Sequence, residues 1–462
     1  VDALHVDGVL AQILPFMHVV SLEKKRLVNR TWKDCCDVAV ESKGGREKTK
    51  FRGNDELRHT VGKYIRGRRD DIETIAHKYG YPIGNWDVSP VTDFSYVFFE
   101  ASSFNEDIGS WDVSNATDML RMFCYAKIFD RDISSWNVSK VTDMKRMFSS
   151  ASSFNQDLST WRVSQVTNMS GMFCEAKLFN KDISGWDVSS VEDMRNMFNH
   201  ADSFDGDISR WDVSRVYDMG YMFKYAGQFS RDLSKWNVSR VTEMSYMFDN
   251  ATRFAGDVSA WDVSRVRNMT GMFHYAKSFN GNISFWDVSQ VADLSNMFHF
   301  ALNFNKDIAS WNVSSVVDMS NLFSHATSFN KDISRWNVSG VRNMSYMFSN
   351  ATAFSGNLSR WNVSGVRSFS YMFHNAENFN DGDIILRWNI LEDANMACIL
   401  DGARSFHHNL MHWQERISNS NLSNEHSDEE MDVYYGQNDE DGEASEDEDI
   451  DEDDQDSDMD GQ

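Results

Sequence analysis

Tryptophan recurs at positions 86, 111, 136, 161, 186, 211, 236, 261, 286, 311, 336 and 361, a spacing of 25 residues every time. Trp388 arrives two residues late, after an insertion near Asp381-Gly382, and Trp413 resumes the count; only Trp32 lies outside the series. A fixed period of this length marks a repeat array, in which each unit rests on its neighbours. The 462 residues therefore read as one long array with appendages rather than as several ordinary domains.

Residues 328–373 show the unit almost twice over, SFNKDISRWNVSGVRNMSYMFSNATAFSGNLSRWNVSGVRSFSYMF. Met344, Met347, Phe348 and Ala351 are spaced i, i+3, i+4, i+7, which predicts one face of a short helix. The column before it reads Asp93, Asp118, Asp143, Asn168, Asp193, Asp218, Glu243, Asn268, Asp293, Asp318, Asn343, Ser368, Asn395. All but Glu243 are residue types that cap the first turn of a helix. Ile333, Trp336 and Val338 give an I-x-x-W-x-V pattern that predicts a short strand. About nine apolar side chains per unit, roughly 1.5–3 kcal/mol each when buried, do not offset an ordering cost of roughly 1–2 kcal/mol per residue. Stacking has to close the gap. The expected fold class is an α/β repeat solenoid, leucine-rich-repeat-like, with short parallel strands pairing into one continuous sheet and a short helix in each unit.

The form F-N-x-D-I-S-x-W-x-V-S-x-V-T-x-M-x-x-M-F-x-x-A resembles the BspA-type leucine-rich-repeat proteins, over residues 79 to about 413. The resemblance implies a solenoid of about thirteen repeats used for binding. It also implies a cell-surface or secreted adhesion protein as one possible role, since the family is common among bacterial surface proteins. Residues 46–78 read as a linker and N-terminal capping helix, with Leu57, Val61 and Ile65 at helical spacing and Tyr79 entering the Phe column. At the far end Met-Phe becomes Ile399-Leu400 while Ala403 keeps its column, as expected of a terminal cap.

The flanks differ from the array. In residues 1–45, Val9, Leu10, Ile13 and Leu14 suggest one helix, and Leu22, Leu27, Val28 and Trp32 a second. The string L-E-K-K-R-L-V-N-R-T-W-K-D-C resembles the second half of an F-box, although the usual opening Leu-Pro is replaced by Val6-Asp7. That resemblance implies docking on a Skp-type adaptor of a cullin-type ubiquitin ligase through Leu10, Ile13, Leu14, Leu22, Leu27, Val28 and Trp32. The plainer alternative is a small all-α cap without a partner. Residues 414–462 lose the pattern and read as a disordered acidic tail. Residues 425–462 hold 20 of the 70 Asp and Glu and no Lys or Arg, so the net charge of −25 is mostly theirs. Ser427 and Ser445 sit in acidophilic-kinase-like contexts.

Chemistry is sparse. There is no G-x-S-x-G, H-E-x-x-H, G-x-x-x-x-G-K-S/T or G-x-G-x-x-G, so no enzyme and no cofactor is expected. The five cysteines form no C-x-x-C pair and suit free thiols in a reducing, intracellular site. No apolar run reaches 18 residues, so no membrane span is expected. The Asp column four residues before each Trp raises calcium but fits turn hydrogen bonding better. His274, His299 and His374 share a column, with His200 and His325 one place on. They raise a metal pair, or histidines interacting with a helix C-terminus. Asn-x-Ser sequons such as Asn137 and Asn337 follow from the template.

Fixed columns are explained by packing, so binding should sit in columns that vary. The residues either side of each Trp should point outward. The free positions there and nearby form two basic groups, Arg210, Arg215, Lys235, Arg240, Arg265 and Arg267, then Arg335, Arg342, Arg360, Arg367 and Arg387, with Phe285 between them. This face is expected to take a protein partner, acidic or phosphorylated, or to be an ordinary solvated surface. Nucleic acid is not expected, for want of regular aromatic platforms. The chain is expected to be monomeric.

Overall fold

The computed structural model describes residues 49–380, 385–407 and 413–424. Two helices, α1 (Asn54–Arg66) and α2 (Arg69–Tyr79), precede the array, and α3 (Gln414–Asn424) follows it. Among the described residues the array itself contains no named strand and no α-helix. The expected α/β solenoid is therefore wrong. Each 25-residue rung is a closed circuit of turns, and rungs stack through hydrogen bonds.

The rung around Trp336 shows how. The segment predicted to be a helix, 344–351, makes no i→i−4 bonds. Instead, alternate amides leave the rung: Met344, Tyr346, Phe348 and Asn350 donate to the carbonyls of Ser368, Ser370, Met372 and His374 at 2.7–2.9 Å. The amides between them, Met347, Ser349 and Ala351, close turns onto Met344, Tyr346 and Phe348. Tyr346 and Asn350 adopt φ of 58° and 55°, the left-handed region. The equivalent two positions are left-handed in every rung from Tyr96 to Gly402. This backbone still brings i, i+3, i+4 and i+7 to one side, which is why the spacing read as a helix. None of the 23 non-glycine left-handed residues is Val, Ile or Thr, and six are Asn. That composition follows from the cost of this conformation for β-branched residues and its tolerance by Asn.

The predicted strand is likewise two turns, Trp336 N–H to Ile333 and Val341 N–H to Val338. Pairing between rungs contracts to single-residue parallel bridges on the Asp/Asn column, from Asp93↔Asp118 to Ser368↔Asn395. The cap types in that column are used, but to cap turns: the Asn343 carboxamide oxygen accepts from the Ser345 amide at 3.0 Å, and Asp118 from Leu120 at 2.8 Å. The Asp column before Trp (Ser334 N–H to Asp332, 2.9 Å) and the Asp/Asn after it (Ser339 N–H to Asn337, 3.3 Å) do the same. Three such turns per rung fix the corners.

The core is one cluster along the whole stack. Trp, Met-Phe and F-N columns run through it as ring stacks, for example Phe348–Phe373 at 5.6 Å, Phe348–Phe354 at 4.0 Å and Trp311–Trp336 at 6.3 Å. Each indole N–H from Trp111 to Trp361 also ties back to the previous rung, as Trp336 does to the Ile308 carbonyl at 3.1 Å, whereas the buried Trp388 indole N–H has no partner among the described residues.

Both ends of the ladder are capped by side chains. At the start, the Asn54 amide donates to the Asp93 and Ser95 carbonyls, at 3.1 and 2.9 Å, where a preceding rung would have supplied amides. Phe51 stacks on Tyr79 at 4.1 Å and lies tilted against Trp86 at 5.3 Å, and so stands in for the missing Met-Phe ring. The expected single capping helix is two, broken at Gly67 (φ 65°). At the finish, the Met396 and Cys398 amides donate to Ser420 Oγ and Asn421 Oδ1 of α3, at 3.1 and 2.9 Å. The tail expected from residue 414 is thus, up to Asn424, a capping helix.

Replacing Trp236 with Ala, mid-stack, is expected to cost about 3–5 kcal/mol, read by denaturant unfolding. Asn421→Ala is expected to speed hydrogen exchange at Cys398 and its neighbours while leaving the rung of Trp236 unchanged.

Candidate protein-binding surface

The Trp face is built by the turn geometry. With each Trp from 86 to 361 only 2–4 % exposed, the residues before and after it are turned to solvent. Arg210, Arg215, Lys235, Arg240, Arg265, Arg267, Arg335, Arg342, Arg360, Arg367 and Arg387 are all exposed, and Phe285 is 86 % exposed. The structure aligns Arg335 with Arg360 and Arg342 with Arg367 on adjacent rungs, and the Arg367 amide bonds the Arg342 carbonyl at 2.8 Å. Arg215 pairs with Glu192 at 2.7 Å, and Arg342 Nη1 reaches the Gly365 carbonyl at 3.4 Å. The other cations of both groups make no ion pair among the described residues.

The column before Trp also shows what is given up when Arg enters it. Ser110, Ser135, Thr160 and Ser310 each donate their hydroxyl to a carbonyl of the previous rung, at 2.6–2.8 Å. Arg210, Lys235, Arg335, Arg360 and Arg387 have no hydroxyl with which to make that bond. The depression beside Trp136, lined by Ser134, Ser135, Asn137, Thr160 and Arg162, is shallow and half open to solvent. A face of this kind suits an extended partner better than a small molecule.

A second surface was not singled out from sequence. It lies on the left-handed turns, most of whose side chains are half-buried, with Tyr125 and Tyr225 exposed. Tyr221 and Tyr246 stack at 5.3 Å, and His200 on Tyr225 at 4.2 Å. Lys224 Nζ lies 5.3–5.6 Å from the rings of Tyr221, Tyr225 and Tyr246 and 3.9 Å from Asp249. Tyr275, Phe300 and His325 continue the row at 4.3 and 4.0 Å. The readable signal was the recurrence of Tyr, His and Asn two and six places after the first Met of each unit.

The histidines sit here, not at a helix end. His274 Nδ1 is 2.8 Å from Asp249, His299 is 4.9 Å from His274 ring to ring, and His325 is 5.8 Å from His299. Burial, then the neighbouring histidines His274 and His325, pushes His299 well below its ordinary value; burial, then His374, pushes His325 down to about 4. Among the described residues no three His, Cys, Asp or Glu side chains converge as a metal site. Cys124, Cys174 and Cys398 are free, and burial pushes the Cys124 thiol up to about 11. No helix among the described residues is long and apolar enough to cross a membrane. Leu10, Ile13, Leu14, Leu22, Leu27, Val28 and Trp32 lie outside the described residues.

The carboxylate columns divide by burial. Hydrogen bonds from Ser134 and Ser209 hold the exposed Asp132 and Asp207 below the usual carboxylate range. On the bridge column burial dominates: Asp118, Asp143 and Asp193 are raised, and Asp218, half-buried beside Asp193 and Glu243, is pushed up to about 6.

The stack of turn-built rungs, capped at both ends and presenting variable columns, defines a tandem-repeat protein. Four overlapping matches to one family, described as Mycoplasma protein of unknown function, DUF285, cover residues 72–186, 170–284, 252–358 and 330–429. The chain belongs to this family of BspA-like repeats. No curated protein matches it.

Asp218→Asn keeps an acceptor for the Gly220 amide (2.8 Å) and removes the charge. A carboxyl raised in the folded state binds more protons there than in the unfolded chain. Wild-type stability is therefore lost as pH rises from about 4 to about 6. The variant is expected to be the more stable at pH 8, with the difference vanishing near pH 4, measured by urea unfolding.

Proposed function

We propose that this chain is a non-enzymatic, intracellular, monomeric interaction scaffold whose Trp-face arginine columns hold an acidic or phosphorylated protein partner. The observation that carries this reading is the replacement of hydroxyls that bond the previous rung by exposed, unpaired cations, at Arg210, Lys235, Arg335, Arg360 and Arg387. Stacking does not demand cations in that column, and here they replace a local hydrogen bond. Stacking tolerates any residue that leaves Trp covered, so the columns are free to encode a ligand.

The F-box-like string of residues 1–45 supports a finer reading, in which the scaffold is the substrate-recognition arm of a cullin-type ubiquitin ligase. Leu10, Ile13, Leu14, Leu22, Leu27, Val28 and Trp32 would then shape or face a Skp-type adaptor. The repeat family alone favours a different role, adhesion at a cell surface.

Two measurements separate these readings. Purified Skp-type adaptor is expected to be retained by the full chain and lost with Leu27→Asp; no retention by the wild type removes the ligase arm. Binding of acidic and phosphorylated peptide pools is expected to weaken in Arg335→Gln/Arg360→Gln and at high salt. Peptide binding indifferent to both removes the arginine columns as the ligand face.

A further inference from the structure

The duplicated rungs near the C-terminal end differ electrostatically from the rest of the stack. Residues 333–376 contain Arg335, Arg342, Arg360 and Arg367 and not one Asp or Glu. All three turn-capping columns go neutral there: Asn337 and Asn362 after Trp, Asn343 and Ser368 on the bridge column, and Asn357 before Trp. Amides and hydroxyls cap these turns as carboxylates do elsewhere, so turn geometry does not require the change. Its physical consequence is four exposed guanidinium groups in two columns whose two rungs carry only two carboxylates, Asp332 and Glu377, the latter paired with Arg404 at 3.5 Å. Asp332, just before them, is the carboxylate that Arg335 and Arg360 influence.

The chain supplies the opposite charge close by. Helix α3 ends at Asn424 and is held to the last rung by Ser420 and Asn421. That rung is linked by direct hydrogen bonds to the rung of Arg367, and the rung of Arg367 to that of Arg342. At about 4.8 Å per rung the arginines begin within roughly 10 Å of the cap along the stack. Residues 425–462 then bring 20 acidic side chains and no basic one. A 38-residue segment spans at most roughly 130 Å when extended, far more than the distance required. Tethering two complementary charged segments this closely gives an effective concentration on the order of millimolar.

We infer that residues 425–462 fold back over the columns of Arg335, Arg342, Arg360 and Arg367 and occlude them. The contact is intramolecular and electrostatic, so any acidic ligand of this face has to displace it. It does not rest on the external-partner reading, and either can fail without the other.

The test follows the amide signals of residues 425–462 in the ¹⁵N-labelled full chain. At low salt these signals are expected to be broadened and shifted. The broadening is lost at about 1 M salt, where the Debye length is about 3 Å, and lost at low salt in Arg335→Gln/Arg342→Gln/Arg360→Gln/Arg367→Gln. Arg210→Gln/Arg215→Gln/Arg240→Gln/Arg265→Gln is expected to leave them as in the wild type. Tail signals identical in the wild type and the first variant overturn the proposal, as does release by the second variant alone. Should the fourfold variant misfold, the wild-type salt series and Arg360→Gln decide, and tail signals insensitive to both overturn it.

Discussion

Four amides per rung, pointing along the stack rather than within the rung, hold this protein together. Met344, Tyr346, Phe348 and Asn350 give them to the next rung, and the same positions do so from Phe94 to Asn375 except at Met269. A backbone can alternate its amides in this way only if it returns to a left-handed conformation every fourth residue, as at Tyr346 and Asn350. Isolated, such a conformation costs about 1–2 kcal/mol per residue. It persists because each of these left-handed residues from Tyr96 to Asn375 also sends an amide to the next rung's carbonyl, and because Met, Phe and Ala from the same segment are buried. The direction of the ladder leaves carbonyls at the first rung and amides at the last. Asn54 and the Ser420-Asn421 pair meet them with side chains of opposite hydrogen-bonding sense.

This division of labour frees the surface. Core letters are fixed by stacking and buried, and the corner turns are fixed by Asx side chains, so columns between them can change from Ser to Arg to Phe at the loss of no more than a hydroxyl bond to the previous rung. The two surfaces that result are chemically distinct. One carries aligned exposed cations beside the buried Trp column. The other carries half-buried Tyr, His and Asn on the left-handed turns, with Lys224 among three tyrosines.

Much of this was legible from the period alone. The Trp spacing gave the rung, and the invariant letters gave the core: Ile333, Trp336, Val338, Met344, Met347, Phe348 and Ala351 are all buried. The outward direction of Arg335 and Arg360 also followed, although from strand alternation that does not exist here. Secondary structure was misread because apolar spacing reports which side chains share a side, and a helix and this ribbon of turns give the same answer. The discriminating signal lay in the polar positions, where Asn and Tyr recur and β-branched residues are missing. Phe51 and α3 were missed for a different reason. They fill places in the stack from outside the 25-residue register, so no column of the repeat contains them.

The central claim is that these positions are left-handed, and Asn321 (φ 55°) tests it with little interference, being half-buried in the middle of the stack. Equilibrium unfolding of Asn321→Val and Asn321→Gly should place the glycine variant level with or above the wild type and the valine variant below it by about 1–2 kcal/mol. Valine equal to or better than asparagine, as a strand or helix would allow, would contradict the account.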